Sequence, residues 1–131
     1  MATIKLFDMG MFVLIWIVQL IIYPGFGYYS NDQLQQWHPI YTKAITIIVL
    51  PLMLGQLVLH GWRLWSQFSI LYLVVFIMVL SNWAITFFVS VPLHSKISSG
   101  ENIGVSVEKL VGTNWYRTIL WSLIFLSGIV K

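Results

Sequence analysis

The chain has 131 residues, of which 59% are hydrophobic and 8% charged, and its mean hydropathy is +0.86. A soluble domain carries about a quarter charged residues, so this composition excludes an ordinary water-facing surface and predicts one domain with lipid as its main solvent. The net charge of +3 comes from seven scattered basic residues, the pattern of side chains flanking membrane spans rather than of a nucleic-acid-binding patch, and the lack of cysteine excludes disulfides, thiolate metal sites and a cysteine nucleophile.

Four apolar runs predict an all-α, antiparallel four-helix bundle in the membrane, because each run approaches the roughly 20 residues needed to cross a hydrocarbon core. The first span covers residues 6–29, with its continuous apolar part ending at Tyr23-Pro24-Gly25. It follows Lys5 as a signal peptide would, but no small-residue cleavage site follows, so it reads as a retained span. Asp8 and Gln19 lie within this run. Residues 30–37 are polar and read as a loop. The second span covers 39–60, with Pro39 in its first turn and Pro51 inside it as a kink. Residues 61–67 read as a short connection. The third span covers 68–91, with Pro92 marking its end, and 95–104 form the longest polar stretch. Ser106 reads as an N-cap for the fourth span, 107–130. Trp37, Trp62, Trp65 and Trp115 lie near span ends and suit interfacial belts, whereas Trp16, Trp83 and Trp121 read as packing residues.

With four spans both termini share one side. That side carries Lys5, Arg63 and Lys131, and the other carries Lys43, Lys96, Lys109 and Arg117. Discounting Lys43 and Arg117 as intrahelical leaves an inside-positive preference for both termini in the cytoplasm.

Ionisable and strongly polar residues inside spans are costly and usually face the bundle interior. Roughly 33 Å of helix separates His38 from His60 at about 1.5 Å per residue, so these two cannot share a ligand. Topology instead brings His38 to the side where His94 ends the third span. Asn114 and Arg117 lie one turn apart on the fourth span. Asn82, Thr86, Ser90 and His94 form a four-residue stripe, and Gln19 and Tyr23 share a face of the first span. The candidate ligand-binding set is therefore His38, His94, Asn114, Arg117, Asn82, Tyr23 and Gln19, all in the His38/His94 half of the bundle or near its midplane. His60, with Trp62 and Arg63, is expected at the opposite interface against water or headgroups.

Each member also has a plainer reading. An interfacial histidine is often merely solvated, Arg117 can snorkel to headgroups, and Asn82, Thr86 and Ser90 can be interhelical glue. A metal held by His38 and His94 needs a further ligand, for which Asp32, Glu101 and Glu108 lie on the same side. No H-E-x-x-H or Glu-x-x-His motif is present, and Arg117 disfavours a cation. Haem ligation by the two histidines is the related alternative. Arg with Asn and His better suits an anionic or carbonyl-bearing ligand of quinone or phenol type. No catalytic nucleophile motif or phosphate-binding glycine loop is present, and the sequence identifies no cofactor.

Val91-Pro92-Leu93-His94, followed by Leu110-Val111-Gly112-Thr113-Asn114-Trp115-Tyr116-Arg117-Thr118 and then Trp121, resembles a pattern in a group of small bacterial four-span membrane proteins. In that group V-P-x-H closes the third span and L-V-x-T-N-W-x-R-T-x-x-W opens the fourth. The group is in turn similar in layout to the anthrone-oxygenase-like family. The first resemblance implies a bacterial cytoplasmic membrane and groups His94, Asn114 and Arg117 as a unit. The second implies cofactor-independent oxidation of a phenolic substrate. Gln56 stands where many such relatives are expected to carry an acid. Three function classes are open: a membrane protein with a polar intrabundle pocket for a small, redox-active ligand; a non-catalytic accessory subunit packing on other membrane subunits or a second copy of itself; and a small transporter, which four spans without an inverted repeat disfavour. The lipid bilayer is the expected partner of all three, and nucleic acid of none.

Overall fold

A computed structural model describes residues 2–130. The N-terminal residue and Lys131, expected to be a flanking charge, lie outside the described residues. The described chain is all-helical and falls into four continuous helical segments: α1 (Ala2–Tyr28), α2 (Asn31–Ser66), α3 (Ile70–Ser99) and α4 (Ile103–Ile129). The first three are long and apolar enough to cross a membrane. The fourth is 27 residues long but carries Glu108, Lys109 and Asn114 in its first half and Arg117 just past its midpoint.

Two helices are longer than their apolar runs, for local reasons. Ser30 caps α2 through a capping box: its Oγ accepts from the Gln33 backbone N–H at 3.2 Å, and the Gln33 side chain accepts from Ser30 N–H at 3.3 Å. This S-x-x-Q arrangement turns the expected loop at 30–37 into the first two turns of α2. Pro39 therefore lies in the third turn rather than the first. At the other end α2 runs through the expected connection at 61–67 as far as Ser66, and Ser69 caps α3 by accepting from Tyr72 N–H at 3.1 Å.

Pro92 does not end the third helix. A π-helical turn, Thr86–Ser90, precedes it, and the Val91 N–H reaches back five residues to the Thr86 carbonyl. Proline lacks the N–H for an i→i−4 bond and crowds that carbonyl. The wider turn absorbs both defects, and α3 continues to Ser99. α1 repeats the device: a π-helical turn, Val18–Ile22, precedes Pro24, and Tyr23 N–H bonds to Val18 O. Gly100, at φ +80°, then closes α3, with Gly100 N–H on Ile97 O and Glu101 N–H on Lys96 O, a glycine-terminated C-cap. α4 starts at Ile103, ahead of the expected cap at Ser106, whose hydroxyl instead donates to Glu101 O at 3.4 Å.

Each helix packs on its neighbour in sequence, and α4 closes back on α1. The core contains Met11, Ile15, Leu34, Val79, Leu110 and Trp121. Gly55 of α2 leaves room for the Phe7 ring of α1, since a Cβ there would overlap it. Trp62 and Trp65 are exposed and Trp121 is buried, while Trp16 and Trp83 are partly buried against the core.

Candidate functional site

The two π-helical turns position the polar groups. A π turn inserts a residue and rotates the rest of the helix about its axis, and such turns recur at functional sites. Behind the α1 turn, Tyr23 points to His94, whose ring comes after the α3 turn. The Tyr23 Oη to His94 Nε2 distance is 2.9 Å. His94 Nδ1 lies 2.8 Å from His38 Nε2, and His38 Nδ1 lies 2.7 Å from Ser98 Oγ. The imidazoles are stacked, with centroids 4.9 Å apart. Tyr23, His94, His38 and Ser98 thus form one hydrogen-bonded chain in which both nitrogens of each imidazole are engaged. Phe26 packs edge-on against His38, and Tyr41 lies tilted beside both imidazoles.

A second group lies deeper, between α1 and α4. Gln19 donates to Val111 O at 3.1 Å and accepts from Asn114 Nδ2 at 2.9 Å and Thr118 Oγ1 at 2.8 Å. Asn114 Oδ1 accepts from Arg117 Nη1 at 3.2 Å, and the same nitrogen reaches Ser90 Oγ at 3.4 Å. The guanidinium lies 4.9 Å from the Trp121 ring centroid, within cation–π reach. Arg117 is buried, so it does not snorkel. It forms the predicted unit with Asn114 directly, but no direct hydrogen bond joins it to His94. Both line one cavity instead, and Tyr23, bonded to His94, also interacts with Arg117.

That cavity has a volume of about 400 Å³. Tyr23, Ser90, His94, Ser98 and Arg117 are among its polar lining, Thr42, Thr46 and Thr86 add hydroxyl-bearing side chains, and Met11, Ile15, Ile45, Val49 and Met53 make much of the rest apolar. Leu50, Phe87 and Val91 line it while remaining exposed, so it opens sideways between α2 and α3. The π turn of α3 packs against α4, whereas α2 meets α3 mainly on either side of that turn. The opening between α2 and α3 thus lies beside the π turn.

Of the seven candidates read from the sequence, Tyr23, His94 and Arg117 line the cavity. His38 stands behind His94. Gln19 and Asn114 hold α1 to α4. Asn82 is buried on α3 away from the cavity wall, and neither atom of its side-chain amide has a partner among the described residues. Among the described residues no group of three or more potential metal ligands comes together. Asp32, Glu101 and Glu108, considered as completing ligands, are all exposed.

His60 departs from expectation. It is buried, not at an aqueous interface: its Nε2 lies 2.9 Å from Asp8 Oδ1. The same carboxylate oxygen accepts from Gln56 Nε2 at 2.7 Å, and Gln56 Oε1 accepts from Trp121 Nε1 at 2.7 Å. This Asp8–His60–Gln56–Trp121 cluster ties α1, α2 and α4 together below the cavity. A signal for it was present: Asp8 inside an apolar run needs a buried partner, and Gln56 and His60 are four residues apart on one helix face. Comparison with protein-family models, curated proteins and solved structures finds no match.

Proposed function

We propose that the chain is an integral membrane protein of four antiparallel spans, with both termini cytoplasmic in a bacterial inner membrane, whose cavity binds a small lipophilic ligand with an oxygen-bearing head of quinone or phenol type. In this reading α4 is the fourth span. Glu108 and Lys109 are exposed near its start, where headgroups lie, and its interior polar residues face protein rather than lipid. The apolar side opening suits a ligand that arrives through the bilayer. The observation that carries the reading is the cavity itself: a mainly apolar space whose lining includes Tyr23, Ser90, His94 and Arg117, as small-molecule sites pair apolar surface with placed polar groups.

The test is thermal denaturation in detergent with and without short-chain quinones and quinols. Wild type should be stabilised by ligand, by about 2.7 kcal/mol at a hundredfold excess over Kd. Arg117→Ala should fold and lose that stabilisation. A wild type indifferent to every such ligand would defeat the proposal.

A second reading, an accessory subunit of a larger membrane complex or a self-associating chain, has one observation in its favour. Gln19, Asn114 and Thr118 satisfy one another, as interhelical glue does. On that reading Arg117→Ala lowers the melting temperature, and the protein co-purifies with partner subunits or with itself.

A further inference from the structure

Arg117 is 5% exposed and lines the cavity, yet it makes no ion pair among the described residues. Its Nη1 bonds are long, at 3.2 and 3.4 Å, and end on the neutral oxygens of Asn114 and Ser90, while its Nε–H has no acceptor. The buried Trp83 Nε1–H, on the same cavity wall, also lacks one. No carboxylate is among the residues lining the cavity. The titratable groups within electrostatic reach of the guanidinium are Tyr23 from α1, Tyr41 from α2 and His94 from α3, with His38 behind His94. Tyrosine and histidine side chains carry no negative charge near neutral pH. A buried cation without a counter-charge is costly, and two residues that line the cavity each carry a buried N–H with no acceptor among the described residues.

We propose that the cavity takes a lipophilic weak acid of the phenol class and binds it as its anion on Arg117, with the proton discharged along Tyr23, His94, His38 and Ser98. This rests on the ligand-pocket reading above. The ligand enters neutral, because an apolar route excludes its charged form. A carboxylic acid is already ionised in neutral water, whereas an ordinary phenol is not, so a built-in route for the proton is of use only to the latter.

The step balances. The ligand O–H bond breaks and its electron pair stays on the phenolate oxygen beside Arg117. The proton passes to Tyr23 Oη as the tyrosine proton moves to His94 Nε2. The His94 Nδ1 proton moves to His38 Nε2, the His38 Nδ1 proton to Ser98 Oγ, and the serine proton to water at Ser98, which is half-buried and itself lines the cavity. The three links measure 2.9, 2.8 and 2.7 Å, all within hydrogen-bond range. Each group ends with as many protons as it began with, and the chain reverses its polarity.

The test uses the full chain in detergent with two probes, 4-nitrophenol and its methyl ether 4-nitroanisole, at a pH where free nitrophenol is mostly neutral. Adding protein should raise the visible phenolate band in proportion to bound probe. The ether should bind at least about tenfold more weakly. Arg117→Lys, which keeps a cation, should retain the band, and Arg117→Gln should lose it. His38→Phe should leave the amplitude intact and slow its stopped-flow appearance at least about tenfold, and Ser98→Ala should slow it in the same direction. If neither probe binds, the ligand-pocket reading falls and this inference with it. If both bind equally and nitrophenol stays neutral, the inference alone is overturned. A phenolate that forms as fast in His38→Phe as in wild type overturns the relay.

Discussion

Gln56 connects the two ends of the buried polar system, and replacing it with leucine tests whether that system holds the helices together. The side chain is 1% exposed, donates to Asp8 Oδ1 at 2.7 Å and accepts from Trp121 Nε1 at 2.7 Å. Gln56→Leu keeps most of the volume, removes both bonds and leaves the Trp121 N–H without an acceptor. Interhelical hydrogen bonds measured in membranes average about 0.6 kcal/mol each, which sets a floor near 1 kcal/mol for the pair. Orphaning a buried donor costs about 1–3 kcal/mol in water-soluble proteins, which sets a ceiling near 4 kcal/mol. At roughly 4 °C per kcal/mol for a chain of this size, the melting temperature in detergent should fall by about 4–15 °C. Gln56→Glu separates the two bonds. The new carboxyl still accepts from Trp121 but stands against Asp8, so the pair stays bonded only while it shares a proton. Raising the pH removes that proton, and the variant should therefore lose stability relative to wild type as pH rises, while the Gln56→Leu deficit stays comparatively flat. A Gln56→Leu protein melting within about 2 °C of wild type, under ~0.5 kcal/mol, would refute the idea that this cluster stabilises the fold.

Gly55→Ala places a methyl group inside the Phe7 ring and should destabilise by about 1–3 kcal/mol; adding Phe7→Leu should recover most of the loss, read as melting temperature in the single and double variants. Tyr23→Phe removes the hydroxyl bonded to His94 Nε2; calorimetric titration should show ligand affinity down about tenfold, with stability changed by no more than about 1 kcal/mol. Because the chain has no cysteine, single cysteines at Gln33, Gln67 and Glu101, all exposed, report topology cleanly. Impermeant maleimide should label 33 and 101 from one side of sealed vesicles and 67 from the other, and labelling of all three from one side would reject the four-span arrangement.

Composition and hydropathy were enough to read an all-helical chain with runs long enough to span a membrane, because burial in lipid demands contiguous apolar residues whatever the tertiary arrangement. The helix ends were less legible. Polarity at 30–37 and 95–99 looked like loop, yet a capping box at Ser30 and a π turn before Pro92 carried both helices through. The capping box was present in the sequence as S-x-x-Q, whereas the π turn is a backbone response to proline that no side-chain pattern announces. The juxtaposition of His38 with His94 came from helix length and order alone, and so did the pairing of Asn114 with Arg117 one turn on. Which polar residues face the cavity was a matter of rotation about each helix axis, and that rotation is set by packing and by the inserted π residues. Tyr23 therefore reaches His94, Gln19 turns toward α4, and Asn82 stays off the wall. His60 shows the same limit: its place at the end of an apolar run suggested water, but the carboxylate of Asp8, supplied from another helix, makes its burial tolerable. A contact between residues distant in the chain exists only once the helices have packed.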